Sequence, residues 1–230
     1  MFVEGTLRWQ VTEDCPWDLL MALALRDLAG LGDRVQPVLP GLEPAVAPAF
    51  HAGRPQTAEG RTRMRPAPGL GARGGASGAG PNEGPDPDDA LATQWQAWFE
   101  VAADRHRRLT APLLHPPHFE AFDRAIELQD VIIAHYDAAA GWAQARHAEY
   151  VSASTASHAR RAADIVEVVR EREHELRRQA GYFRLDIDVL PLAEKGAWIV
   201  GPHTVVISAT MRDDSAAFRG WLRPLVAAII

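Results

Sequence analysis

The sequence predicts an α+β fold in which a small antiparallel sheet of about three strands packs on several helices. Three observations lead to this prediction. Residues 183–189 alternate apolar and polar side chains like a half-buried strand, apolar residues elsewhere recur at steps of three and four like those of helices, and residues 51–89 are rich in Gly and Pro. We expect one domain with a long disordered insertion, because the roughly 190 remaining residues suit a medium-sized domain.

The insertion divides the sequence into three parts. Residues 51–89 contain 15 Gly or Pro among 39 residues and only Met64 and Leu70 as large apolar residues, so this stretch cannot bury enough surface to order itself. Residues 1–50 are too few to sustain a core alone. We therefore expect their strand and buried helix to complete the same domain as residues 90–230, which supply a helical layer, a β-hairpin and a C-terminal helix.

The N-terminal part contains one predicted strand and one predicted helix. Residues 6–11 alternate apolar and polar side chains, and we expect this strand to join the C-terminal hairpin as the third strand of the sheet. Between Pro16 and Gly32, apolar residues recur at helical spacing, and further leucines widen the apolar surface beyond one stripe. Such a helix needs burial on several sides, so we expect it at the centre of the core.

Three helices are expected between the insertion and the C-terminal strands. The first carries Leu109 on its apolar face and ends before Pro112. The second covers residues 118–150, where apolar residues alternate steps of three and four as in a coiled coil. Residues 152–157 include four Ser or Thr that compete for backbone hydrogen bonds, so we expect a break there before a charged helix over residues 159–179.

The C-terminal part predicts a β-hairpin followed by a helix. Residues 183–189 form the first strand and residues 198–208 the second, with a bend at Gly201. The last helix begins near Ser215 and contains Pro224, which removes one backbone hydrogen bond and predicts a kink.

Composition excludes several classes of protein. The net charge of −6, with both signs interspersed, disfavours nucleic-acid binding. Cys15 is the only cysteine, so no intrachain disulfide can form, and a reducing, cytoplasmic location fits best. The densest apolar run, residues 19–25, is too short to span a bilayer, so we expect no membrane association.

One group of residues matches metal-binding chemistry. His115, His118 and Glu120 place two imidazoles and a carboxylate within six residues, and these groups bind zinc and other transition metals. A closed site would need further ligands from elsewhere in the chain, such as His147 or His203. A turn before a helix also carries such residues for capping alone, and both interpretations stay open.

Two polar residues fall on the coiled-coil-like stripe. His147 and Gln129 could belong to a buried polar network or line a ligand pocket. Gly69, Gly71 and Gly74 have the spacing of dinucleotide-binding glycines, but no strand precedes them and no helix follows, so we expect no cofactor.

The functional expectation follows from the helical stripe and the lack of a reactive motif. We expect a soluble, intracellular, non-catalytic domain that binds a protein partner or forms a homo-oligomer through its helices. The alternative is a small-ligand-binding protein or a metal-dependent enzyme with a His-containing pocket between the helices and the hairpin.

Overall fold

The computed structural model describes residues 2–6, 9–48 and 87–230. The strands and helices of these residues are β1 (Phe2–Thr6), β2 (Trp9–Asp14), α1 (Trp17–Leu28), α2 (Pro87–Ala103), α3 (Ile126–Leu176), β3 (Phe183–Leu190), β4 (Ala197–Ile199), β5 (Thr204–Ser208), α4 (Ala209–Asp213) and α5 (Ser215–Ile229). Short 3-10 turns occupy Gly32–Arg34, Arg107–Thr110 and Glu120–Phe122. The α+β class predicted from the sequence is confirmed.

The sheet is mixed, and its strands lie in the order β1-β2-β3-β5-β4. The two edge pairs, β1 with β2 and β4 with β5, are antiparallel, whereas β2, β3 and β5 run parallel. The expected three-stranded antiparallel sheet with β3 in a hairpin is therefore wrong. Strand β5 lies between β3 and β4, so β3 does not pair with the strand that follows it in the chain. Gly201 and Pro202 lie in the turn between β4 and β5, where Pro costs the sheet no hydrogen bond.

The two faces of the sheet belong to separate apolar clusters. Ile187 packs with the C-terminal half of α3 and with α5, whereas Leu190, three residues on, packs with α1, α2 and the N-terminal half of α3. This division follows from the alternation of side chains along a strand. Residues 19–25 of α1 are fully buried, as predicted. Tyr150 contacts both clusters, because it lies where α3 passes from one to the other.

Helix α3 is continuous over 51 residues, so the predicted break at residues 152–157 is wrong. The Thr155 hydroxyl donates to the Val151 carbonyl at 2.8 Å, and the Ser157 hydroxyl donates to the Ala153 carbonyl at 2.6 Å. These bonds follow the i to i−4 pattern within a helix. The hydroxyls are thus satisfied without interrupting the backbone ladder.

Several predicted boundaries also change. Helix α3 begins at Ile126 and not at residue 118. Ile133, which belongs to the apolar stripe predicted over residues 118–150, is exposed. Leu109 lies in a 3-10 turn beyond the end of α2 and is 93% exposed, so it forms no apolar face. Helix α5 begins at Ser215 and contains Pro224, as predicted.

The predicted disordered insertion, residues 51–89, lies outside the described residues except for its last three. Residues 87–89 form the first turn of α2, which corrects the predicted boundary. The Arg34 guanidinium donates to the Asp88 carboxylate at 2.8 Å and holds this turn to the N-terminal segment. Among the described helices, none combines the length and the apolar composition that a bilayer span requires.

Candidate functional site

Two adjoining cavities open at the amino ends of β3 and β5. Their volumes are about 540 and 300 Å³, and both are lined by His106, Arg184 and residues 201–204. His106 follows α2, and His203 lies in the turn between β4 and β5, so two imidazoles that are distant in sequence line one cleft. We name these two cavities together the imidazole cleft.

The two chambers of the cleft differ in character. The larger chamber has apolar walls made by strands β3 to β5 and by the end of α5, namely Phe183, Leu185, Ile199, Val205, Leu225 and Ile229. The smaller chamber is more polar and adds charged side chains from α2, from the segment after α2 and from β3, namely Glu100, Asp104, Arg107 and Asp186. Arg184 lies on the wall that the two chambers share.

Strand alternation explains the position of Arg184. Phe183 and Leu185 face the apolar cluster that contains α5, so Arg184 and Asp186 point to the opposite face of the sheet. Arg184 Nη2 lies 2.6 Å from Asp186 Oδ2, and Thr12 donates its hydroxyl proton to Asp186 Oδ1. Asp186 is buried and held by the hydrogen bond from Thr12, and its ion pair with Arg184 fixes the guanidinium against the sheet.

Arg184 also contacts the imidazole of His106. This contact joins Arg184 Nη1 and His106 Nε2. Arg184 Nε is buried and has no hydrogen-bond partner among the described residues. The cleft wall therefore contains a charged donor that this part of the protein does not satisfy.

The segment that carries His106 is anchored on both sides. Asp104 Oδ1 accepts the backbone N–H of His106 at 2.9 Å and that of Arg107 at 3.3 Å. Although desolvation opposes the charged form, these amides lower the pKa of the Asp104 carboxyl. Arg108 donates from Nε to the Ala102 carbonyl at 2.7 Å, so the chain turns back onto α2.

The two predicted ligand-binding residues lie elsewhere. His147 Nδ1 lies 3.0 Å from the Cys15 carbonyl oxygen and donates to it. Gln129 Nε2 donates to the His118 carbonyl at 2.9 Å and to Asp123 Oδ1 at 2.8 Å, which ties the preceding loop to α3. Neither residue lines the imidazole cleft, and the structure does not bring the two together.

The predicted metal ligands lie on one exposed turn. His115, His118 and Glu120 line an open depression around Pro116 and Pro117. Across residues 9–48 and 87–230, no group of three or more His, Cys, Asp or Glu side chains is arranged to hold a metal ion. Neither His147 nor His203 lines this depression, and the metal site stays a prediction without geometric support.

Arg184 and His106 were missed by the sequence interpretation. The available signal was the alternation of Arg184 and Asp186 with apolar residues in β3, which indicates a polar face but not what covers it. No sequence pattern connects this strand with the end of α2. The chain matches no protein-family model, no curated protein and no solved structure.

Proposed function

We propose that this protein binds a small organic molecule with an apolar ring or chain and an anionic end group. The observation that carries the proposal is the Arg184 guanidinium, fixed by Asp186 at the boundary between an apolar chamber and a more polar one. A ligand of this kind would place its apolar part in the larger chamber and its anionic group against Arg184. A His-containing ligand pocket is also the alternative that the sequence suggests, but the cleft is lined by Arg184, His106 and His203 and not by His147 and Gln129.

The physical chemistry of the cleft favours an anion at this position. The buried Nε of Arg184 offers a charge-assisted hydrogen bond, which is stronger than a bond between neutral groups. His106 and His203 line the same boundary and can supply further polar contacts. The larger chamber, about 540 Å³, falls within the range of roughly 300–1,000 Å³ that is common for small-molecule sites.

The test uses decanoate and its neutral analogue decanol as probes. We expect the full chain to bind decanoate saturably in isothermal titration calorimetry. Arg184→Gln should weaken this binding by about tenfold or more, since a hydrogen bond to a charged group contributes about 1.5–3 kcal/mol. Decanol should bind both proteins weakly and equally, because it lacks the anionic group.

The matched control is Arg223→Gln, which removes an arginine that pairs with Glu171 on the surface at 2.9 Å. Decanoate should bind this variant like the unchanged protein. Circular dichroism melting curves establish that each variant is folded. An Arg184→Gln protein that is folded and binds decanoate with unchanged affinity would contradict the proposal.

Self-association is a second candidate function, supported by exposed apolar side chains at the rim of the cleft. Tyr182 is 78% exposed and Ile199 is 71% exposed, and Ile229 lies beside the same opening. Exposed apolar patches of this kind are typical of interaction surfaces. Sedimentation velocity should then give a dimer that Ile199→Arg converts to a monomer, whereas a monomer at all concentrations excludes this function.

We also propose a cytoplasmic location on the basis of cysteine usage. Cys15 is a buried free thiol, which suits a reducing compartment. Cell fractionation with an antibody against the protein tests this location.

A further inference from the structure

A separate cavity of about 210 Å³ lies at the other end of the parallel strands, where the middle of α3 passes over them. Cys15, directly after β2, and residues 189–191, at the end of β3, form its floor. Arg146, Tyr150 and Arg161 of α3 form its roof. In open sheets with parallel strands, ligands commonly bind at the carboxyl ends of the strands, which is the position of this cavity. We name it the α3 pocket.

Arg161 brings an unsatisfied donor to this pocket. Its side chain is only 2% exposed, and it donates from Nη1 to Glu13 at 2.7 Å and from Nη2 to Asp213 at 2.8 Å. Its Nε is buried and has no hydrogen-bond partner among the described residues. Burying such a donor without a partner costs free energy, so an acceptor from outside this part of the chain would stabilise it.

Arg146 repeats this arrangement on the same helix. It donates from Nη2 to Glu149 at 2.5 Å, while its Nε is buried and has no partner in the described part of the chain. The Glu149 side chain is 65% exposed, and an ion pair between residues three apart on a helix surface is weak. Another carboxylate can therefore replace Glu149 on Arg146 at little cost.

The buried side chains of the pocket are donors or are already paired. Burial raises the pKa of the Cys15 thiol and of the Tyr150 hydroxyl, so both keep their protons. The buried Glu13 carboxylate accepts from Arg161 through one oxygen and from Arg212 through the other. The carboxylates of Glu149 and Asp213 also line the pocket, but they pair with Arg146 and Arg161. The buried part of the pocket thus presents protons to a ligand, and a fitting ligand must supply an acceptor.

We propose that the α3 pocket binds a small aliphatic monocarboxylate, with its carboxylate on Arg146 and its chain against the ends of the strands. The volume lies below the roughly 300 Å³ at which drug-sized pockets begin, so the ligand has a short chain. Residues 189–191 and Ala209 give the floor an apolar surface. The ligand needs only one negative charge, for Arg146, because the carboxylates of Glu13 and Asp213 already balance the charge of Arg161.

The experiment titrates the full chain with butyrate and, separately, with inorganic phosphate, and follows binding by isothermal titration calorimetry. Butyrate should bind saturably and more tightly than phosphate. Arg146→Gln should weaken butyrate binding by about tenfold, the loss expected for one charge-assisted hydrogen bond. Glu149→Gln should strengthen it, because the competing carboxylate is removed.

Arg172→Gln is the matched control on the same helix. Arg172 pairs with Glu175 three residues on at 2.9 Å, and its buried Nε also has no hydrogen-bond partner in the part of the chain that the structure describes. It does not line the α3 pocket. Butyrate should bind this variant with unchanged affinity. Butyrate should also bind the Arg184→Gln variant with unchanged affinity, and this result would distinguish the α3 pocket from the imidazole cleft.

Three results would overturn the proposal. The first is no saturable binding of butyrate by the unchanged protein, and the second is equal affinity in a folded Arg146→Gln variant. The third is phosphate binding tighter than butyrate binding. Loss of butyrate binding in Arg184→Gln alone would assign the carboxylate to the imidazole cleft and would equally reject the α3 pocket.

Discussion

The Arg108 guanidinium lies 2.9 Å from the Asp188 carboxylate, and this ion pair joins the segment after α2 to the middle strand of the sheet. Asp188 is almost completely buried, so its negative charge depends on the Arg108 guanidinium for stabilisation. Burial raises the pKa of Asp188 to about 7 although Arg108 lowers it, and the nearby Asp14 and Asp186 raise it further. The same segment carries His106 of the imidazole cleft, so this pair helps to position the cleft.

Asp188 should make stability fall as the pH rises towards neutrality. In the native state its pKa is about 7, whereas the ordinary value is 3.8, so between these values the native state holds a proton that the unfolded chain has lost. The unfolding free energy of the unchanged protein should therefore decline between about pH 4 and pH 8, by on the order of a few kcal/mol relative to that of Asp188→Asn. Urea titrations across this range measure the decline.

Asp33→Asn is the control for this pH dependence. Asp33 is exposed in the 3-10 turn after α1, so removing its carboxylate should not change how the unfolding free energy falls with pH. If Asp188→Asn shows the same pH dependence as the unchanged protein, Asp188 does not titrate in the native state as described.

Loss of the Glu13 charge should strongly destabilise the protein. Glu13 accepts from Arg161 and from Arg212, each at 2.7 Å, and all three side chains are buried. Glu13→Gln leaves two buried guanidinium groups with one less anion, so we expect a loss of about 3–5 kcal/mol in unfolding free energy. Glu149→Gln, in a largely exposed ion pair, should change it by less than about 1 kcal/mol. Similar losses of unfolding free energy in the two variants would show that the buried ion pairs of Glu13 do not stabilise the protein more than an exposed ion pair does.

A proline in the middle of α3 distinguishes one long helix from two. Ala156 is exposed and lies between Thr155 and Ser157, within the region where the sequence predicted a break. In a continuous helix, Ala156→Pro removes a backbone hydrogen bond and should cost about 3 kcal/mol in unfolding free energy. Ala156→Gly, the control, should cost about 1 kcal/mol. A proline variant as stable as the unchanged protein would mean that α3 is broken at this point.

Gly196 lies too close to Trp198 to accept a side chain. A Cβ atom at Gly196 would lie 2.8 Å from the Trp198 ring, so the ring would have to move. We expect Gly196→Ala to lower the unfolding free energy by about 1 kcal/mol and to shift the indole NMR signal of Trp198. At Gly181 an added Cβ meets nothing within 4 Å, so Gly181→Ala should leave that signal in place. An unshifted Trp198 signal in Gly196→Ala would contradict the packing described for this pair.

The sequence predicted the local structure well where one period dominates. The fully buried residues 19–25 and the strand at residues 183–189 both follow from spacing alone, because side-chain direction depends on backbone geometry. It failed at residues 152–157, where Ser and Thr suggested a break. Their hydroxyls bond within the helix, and α3 is continuous. The helix propensity of a few residues is a weak signal when the parts of the helix before and after them are held by packing.

The candidate site was less accessible to sequence reasoning. The sequence offers His203 as a possible metal ligand, but in the structure it lines the cleft together with His106, which belongs to a segment far away in the chain. Arg184 resembled a residue on the solvent face of an alternating strand. The segment after α2 lies against that face, so that Asp186 is buried and Arg184 becomes the wall of a cleft.

The sequence by itself determined the α+β class, the burial of α1 and the positions of most helices and strands, because these depend on residue spacing within one segment. Only the tertiary structure decided that β5 lies between β3 and β4, that α3 contributes to both apolar clusters, and that Arg184 meets His106. These relationships join segments that are distant in the chain. They depend on the packing of the whole protein, which no local pattern encodes.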